Sequence, residues 1–376
     1  MKLLPPQKDI YAKERMTALQ AQRFAHEIAF APVVFQVSRL MIKFGIFMLL
    51  NEQKQGLTME EIVEKTKLSP YAVKVLLEAS LTIGTVLLKE NKFVLSKAGW
   101  FLIYDEMVQV NMNYNHDVNY LGLFDLEASL LNGKPEGLKV FGEWATIYEG
   151  LSQLPEQVQK SWFAFDHYYS DNSFQQALEI VFARNPKTLL DVGGNTGRWA
   201  SECVAYSERI HVTIMDLPQQ LEMMKQQTKD VKGADRIEGY PANVLDKHTV
   251  FPQGFDAIWM SQFLDCFSEA EIIGILTRAA ASMNGQSRLY IMETFWDRQR
   301  FETASYCLAQ ISLYFTAMAN GNSKMYHSED MKQCVNKSGL DIETIHDGLG
   351  LGHCIMVCKK GMKQGENTER KYSQSI

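Results

Sequence analysis

The stretch Thr188–Ala200, "TLLDVGGNTGRWA", puts one aspartate, Asp191, and three glycines, Gly193, Gly194 and Gly197, on a short turn between an apolar run and a helix-prone segment. Glycines let a backbone approach a ligand closely, and a helix that starts just beyond them presents free N–H groups. About 20 residues further on, a second apolar run ends in Asp216, where an acidic side chain can accept both hydroxyls of a ribose. The chemistry is that of holding a nucleoside-like ligand. The spacing is G-G-x-x-G rather than G-x-G-x-x-G, and several ligand classes share such a turn. Asp216 has a plainer reading as the N-cap of a helix opening at Pro218.

A turn of this kind needs parallel strands to carry it. The runs "TLLDVGG", "HVTIMDL", "FDAIWMS", "SRLYIMET" and "CIMVCKK" alternate with helical patterns from about 185 to 360, which predicts an α/β domain with a parallel, doubly wound sheet. Ahead of it, "LTMEEIVEKT" is an amphipathic helix with a Thr58–Glu61 capping box, and Ser69 and Pro70 open the next helix. "VLLKENKFVLS" then reads as a hairpin turning at Glu90–Asn91. Helix, helix, hairpin is a winged-helix order, whose use on DNA would need phosphate contacts. Between Leu57 and Leu81 four glutamates outnumber three lysines, and the 376-residue chain carries a net charge of -6, so a nucleic-acid partner is not expected. The expected divisions are a winged-helix domain at 1–110, an aromatic-rich helical connector at 111–170, the α/β domain at 171–360 and a polar, disordered tail at 361–376.

The N-terminus has no apolar core suited to a signal peptide, and the most apolar window, Ala31–Leu50, is interrupted by Arg39 and Lys43. A cytoplasmic protein that does not span a membrane is expected. The six cysteines form no CxxC pair and read as free thiols, and no metal-ligand spacing occurs. Ala31–Leu50, taken as one long helix, has more apolar surface than a small module buries, which predicts a two-fold dimer.

Further motifs accompany the glycine turn: "FDHYYSDNS" (Phe165–Ser173), "DVGGNTG", "MDLP" (Met215–Pro218), "WMSQFLDCFSEAE" (Trp259–Glu271) and "MET" ending a later strand. In this order, over nearly the whole chain, they resemble the small-molecule S-adenosylmethionine-dependent O-methyltransferases of the plant caffeate and animal hydroxyindole type. The resemblance implies a Rossmann-like, seven-stranded, mostly parallel sheet behind a winged-helix dimerisation domain, with S-adenosylmethionine as methyl donor. It further implies that Asp191, Gly193 and Gly197 frame the methionine end, with Ser173 near its carboxylate. Asp216 would hold the ribose and Leu217 lie against adenine. "ANVL" stands where the family has G-D-M-F, so Asn243, with Val244 beside it, replaces an acidic contact, and Ser261 replaces a lysine.

At the catalytic positions the chain departs from the pattern. The family's histidine base aligns with Asp265, followed by Cys266; one flanking glutamate is retained as Glu293 and the other falls at Met325. A free aspartate, with a pKa near 4, is a weak base for a phenol, but burial beside Glu293 would raise it. Asp265 could alternatively cap the helix at "SEAE". His116, His167, His327 and His353 are stand-ins for the missing base, with His327, in "MYHSED", the foremost. Three activities follow from the resemblance: O-methylation of a small phenol-like acceptor, C-methylation of a phenolic ring, or a non-methylating ligand-binding or repurposed relative. The first is favoured. Phe163, Phe165, Tyr168, Tyr169, Trp296 and Tyr314 suggest an aromatic acceptor.

Overall fold

The computed structural model describes residues 7–361; the tail expected at 361–376 lies, from Met362 on, outside the described residues. The chain forms two compact units, one of Tyr11–Val118 with Lys160–Phe165, the other built from Asn119–Gln159 and from Asp166 onward. The segment read as a connector is thus divided between them.

In the N-terminal unit, Met41, Ile46, Phe47, Leu50, Leu57, Ile62, Val73, Leu77 and Val86 form the core. The capping box at the helix Met59–Thr66 forms as expected, Glu61 N–H reaching Thr58 Oγ1 at 3.3 Å and Thr58 N–H reaching Glu61 at 2.7 Å. Ser69 caps the helix Pro70–Ile83. The hairpin pairs β1 (Val86–Lys89) with β2 (Lys92–Leu95) through Glu90 and Asn91, both at positive φ, as a two-residue turn matched to strand twist requires. One expectation is corrected. Ala31–Leu50 is not a single helix: it breaks at Gly45 (φ 71°) into Ala31–Lys43 and Ile46–Glu52, bent by 59°. A left-handed residue, which glycine adopts without steric cost, lets Met41 and Phe47 reach one core. The preceding helix, Ala18–Ala29, buries none of its residues.

The second unit is a seven-stranded sheet: β3 (Thr188–Val192), β4 (His211–Asp216), β5 (Ile237–Pro241), β6 (Ala257–Ser261), β7 (Arg288–Glu293), β8 (Leu340–Leu349) and β9 (His353–Lys360), in the spatial order β5-β4-β3-β6-β7-β9-β8. From β5 to β7 all pairings are parallel, and β9 alone runs antiparallel to its neighbours. The inner strands are apolar on both sides because both faces are covered. One face packs on Ile272, Ile275, Leu276, Met331 and Val335, the other on Leu178, Trp199, Cys203, Leu221 and Met224. Apolar patterning missed β5 and β8, and these are the two edges, where half-exposed residues keep polar side chains. The chain leaves β3 toward β4 and returns to β6 on its other side, so the order reverses at β3, and a crevice forms beyond the carboxyl ends of such strands.

Candidate functional site

Asp191, Gly193, Asp216, Ser261 and Glu293 all lie at or just beyond the carboxyl ends of β3, β4, β6 and β7. The glycine turn is bare because its neighbours leave no room. A Cβ on Gly193 (φ 75°) would meet the Phe263 ring at 2.2 Å, and one on Gly194 would meet Asp191 Oδ2 at 2.6 Å. A Cβ on Gly197 (φ 80°), which begins the helix Arg198–Tyr206, would meet Thr228 at 2.8 Å. Asn195 N–H donates to Asp216 Oδ2 (2.9 Å) and Leu217 N–H to Oδ1 (2.7 Å), so the Asp216 carboxylate ties the turn to the end of β4. The N-cap of the helix Pro218–Thr228 is Leu217, which removes the plainer reading of Asp216. Each of its oxygens keeps a second lone pair for a hydroxyl.

Asp191 is buried and its Oδ2 has no protein partner. Burial first, then the nearby Asp216 charge, lift its carboxyl to about 8. A buried orphan oxygen is costly, and a ligand that supplies a donor or a cation relieves the cost. The ammonium of a methionine moiety suits Asp191, and ribose hydroxyls suit Asp216, so these residues fit S-adenosylmethionine.

The remaining expected cofactor positions differ in what their side chains do. Asn243 turns its Oδ1 to Leu245 N–H at 2.9 Å, Val244 is buried in the core, and Leu217 and Ser261 are half-buried. Ser173 is fully buried, with its hydroxyl 2.7 Å from His353 Nδ1 and 3.4 Å from the Leu349 carbonyl oxygen. That hydroxyl is engaged with the β8–β9 turn.

Asp265 and Glu293 come together. Asp265 sits on a single 3-10 turn, Leu264–Cys266, directly after β6, and is 4% exposed. Glu293, the last residue of β7 and 2% exposed, accepts the N–H groups of Phe263 (3.1 Å) and Leu264 (2.9 Å) on Oε1. It therefore holds the turn that carries Asp265, while its Oε2 has no protein partner. The helix Glu269–Ser282 is capped by Ser268 in a box with Glu271, so Asp265 is not a helix cap. Burial lifts Asp265 to about 7, and burial together with the Asp265 charge pushes Glu293 well above the carboxylate range. The Cys266 thiol lies 3.5 Å from Asp265 Oδ1.

His327 is buried in the same unit, against residues that follow β7. Its Nδ1 accepts Glu329 N–H at 3.1 Å as the N-cap of the helix Ser328–Lys337, its Nε2 lies 3.6 Å from Asp297 Oδ2, and its ring meets Trp296 edge-on. Its hydrogen bonding is that of a cap. His353 and His167 are each pushed down to about 4, His353 by burial alone and His167 by burial and then Arg198, so both are neutral near pH 7. His116 pairs with Asp117 at 2.7 Å in the N-terminal unit, the unit that also holds Phe163 and Phe165. Met325 is buried against Thr294.

Two groups were missed by sequence reasoning. Asp166, on the helix Glu156–Ser170, is lifted to about 7 by burial and by the Asp265 charge, and is held down by Arg198. Burial, Cys266 and Tyr314 push the phenol of Tyr148 up. Asp166 lay inside a quoted motif, but nothing local distinguishes it from a solvated aspartate.

Residues 22–93 match the Dimerisation2-like domain, and residues 125–340 the O-methyltransferase domain. Demethylspheroidene O-methyltransferase of Rhodobacter capsulatus is 23% identical over 308 residues, 81% of this chain and 73% of that protein. The solved mitomycin 7-O-methyltransferase superposes with a TM-score of 0.68 at 17% identity, covering 91% of this chain and 98% of that one. Human N-acetylserotonin methyltransferase, solved in complex with SAM, gives 0.64 at 16% identity, covering 92% and 100%. At these identities the two structures share the fold.

Proposed function

This chain belongs to the O-methyltransferase domain family, and from that premise we propose that it moves the methyl group of S-adenosylmethionine onto a hydroxyl of a small aromatic acceptor. The observation that carries this is the bare glycine turn with two carboxylates, Asp191 buried and unpartnered and Asp216 half-buried and tied to the turn, at the point where the strand order reverses. When bound, S-adenosylmethionine supplies an electrophilic methyl on a sulfonium. The protein's part is to hold the acceptor hydroxyl in line with it, which is where most of the acceleration in such a transfer arises. Asp265 takes the hydroxyl proton. Its carboxyl, at about 7, is a better base than an ordinary aspartate, and general-base help is worth about 10²–10⁴ in rate. Glu293 keeps the Asp265 turn in place through the two N–H groups it accepts.

The N-terminal unit, read as winged-helix-like, serves to pair two chains. Support comes from the dimerisation-domain match and from the helix Ala18–Ala29, on which Leu19 is 79% exposed. A cytoplasmic setting is supported by the free thiols of Cys203, Cys266, Cys334, Cys354 and Cys358. Among the described residues no single helix is long and apolar enough to cross a membrane.

The test is calorimetric titration with S-adenosylhomocysteine, followed by transfer of a labelled methyl to a panel of phenols and fragmentation of the product. Micromolar binding and a methyl ether are expected. No binding would remove the cofactor assignment, and a methyl on ring carbon would replace O- with C-methylation.

A further inference from the structure

A carboxyl that leaves water needs either a proton or a counter-charge, and two buried ones, Asp265 and Glu293, stand together here, with a third, partly exposed, acting on them. Asp265 follows β6, Glu293 ends β7, and Asp166 acts on Asp265 from the helix Glu156–Ser170. Glu293 spends Oε1 on the turn and presents Oε2, buried and without a protein partner. Among the described residues neither Asp265 nor Glu293 is ion-paired with a lysine or arginine. Arg198 acts on Asp166, the His167 ring lies 3.8 Å from Asp166 and is neutral above about pH 4, and the other titratable groups facing the cluster (Cys266, Tyr148 and Tyr326) are acids. Taking one phenolic proton requires one carboxylate. Three, with an orphan oxygen among them, make a site that is anionic once ionised, and a cation is the ligand that satisfies it.

We propose that the acceptor is an amine: a small hydroxylated aromatic bearing an aliphatic nitrogen, protonated at neutral pH, with its ammonium seated against Asp166 and the Asp265–Glu293 pair. This rests on the methyl transfer proposed above. The hydroxyl oxygen then gains the methyl as the carbon–sulfur bond breaks, sulfur keeps the electron pair, and the proton passes to Asp265. The ammonium itself gives up nothing.

The experiment compares matched probes that differ only in charge: tyramine with 4-(2-hydroxyethyl)phenol, and serotonin with 5-hydroxytryptophol. Binding to the full chain saturated with S-adenosylhomocysteine is measured by calorimetry from pH 5.5 to 8.5. At pH 8 the ammonium member of at least one pair should bind about 10- to 150-fold more tightly, the range for a charge-assisted hydrogen bond. The preference should fade toward pH 5.5, since Asp166 and Asp265 protonate on passing below about 7. It should shrink about 10-fold in Asp166→Asn and return in Asp166→Glu, with folding of both variants followed by circular dichroism.

Equal affinity within both pairs, or a preference unchanged by pH and by Asp166→Asn, would overturn the proposal. So would an Asp166→Asn variant that weakens S-adenosylmethionine relative to S-adenosylhomocysteine and leaves the pairs equal, because the carboxyls would then serve the sulfonium. Loss of S-adenosylhomocysteine binding by the unaltered protein would instead overturn the methyl transfer beneath it.

Discussion

Replacing Asp265 with asparagine should make the protein more stable and the enzyme slower. The folded chain holds the Asp265 proton to about pH 7, whereas an unfolded aspartate releases it near 4. The native state therefore binds this proton more tightly than the unfolded state does. Its contribution favours folding below about pH 4, is lost as pH rises through 7, and stays lost above. Lifting a carboxyl from 3.8 to about 7 corresponds to roughly 4 kcal/mol against the ionised form, and at 4% exposure solvent screens little of it. Asparagine keeps the shape and removes the charge. In urea or thermal melts without ligand, Asp265→Asn should match the parent near pH 3.5 and exceed it by about 2–4 kcal/mol at pH 8.5. Turnover should fall about 10²-fold or more, with S-adenosylhomocysteine affinity nearly intact, and parent activity should rise with pH through about 7. Parallel pH dependences of stability in the two proteins, or a variant less stable at pH 8.5, would refute the burial argument. Full turnover in the variant would show that the proton leaves by another route.

Asp216→Ala should weaken S-adenosylhomocysteine by about 10- to 150-fold in calorimetry, because a half-buried, hydrogen-bonded charge is removed from the ribose end. Gly193→Ala should abolish cofactor binding and destabilise the fold by about 1–3 kcal/mol, since its Cβ meets the Phe263 ring at 2.2 Å on a left-handed backbone. Adding Phe263→Ala should restore part of the stability in a melt, and no recovery would mean that the ring is not the obstacle. Light scattering at micromolar concentration should give a dimer, and the Leu19→Glu, Ile28→Glu double variant should give monomers; a parent that is already monomeric contradicts the pairing role.

Features that depend on neighbours in sequence were determined by the sequence alone. The capping box at Thr58–Glu61, the hairpin at Glu90–Asn91 and the glycine turn each need only the next few residues to satisfy their hydrogen bonds or φ angles. The inner strands were legible because burial on both faces demands unbroken apolar runs such as Ala257–Met260 and Leu289–Met292. Tertiary structure decided the rest. The edge strands β5 and β8 carry "IEGYP" and "LDIETIHDGL", whose polar residues are tolerated only because water reaches one side. The break at Gly45 sits inside an apolar run that periodicity alone continues as helix, and it forms because Met41 and Phe47 pack into one core. Ser173 meets His353 across 180 residues, and Asp166 acts on Asp265 from a separate helix. The charge state of a carboxyl depends on what surrounds it in space. A sequence can name Asp265 and Glu293, but only the fold, by removing their water and setting them side by side, makes one of them a base.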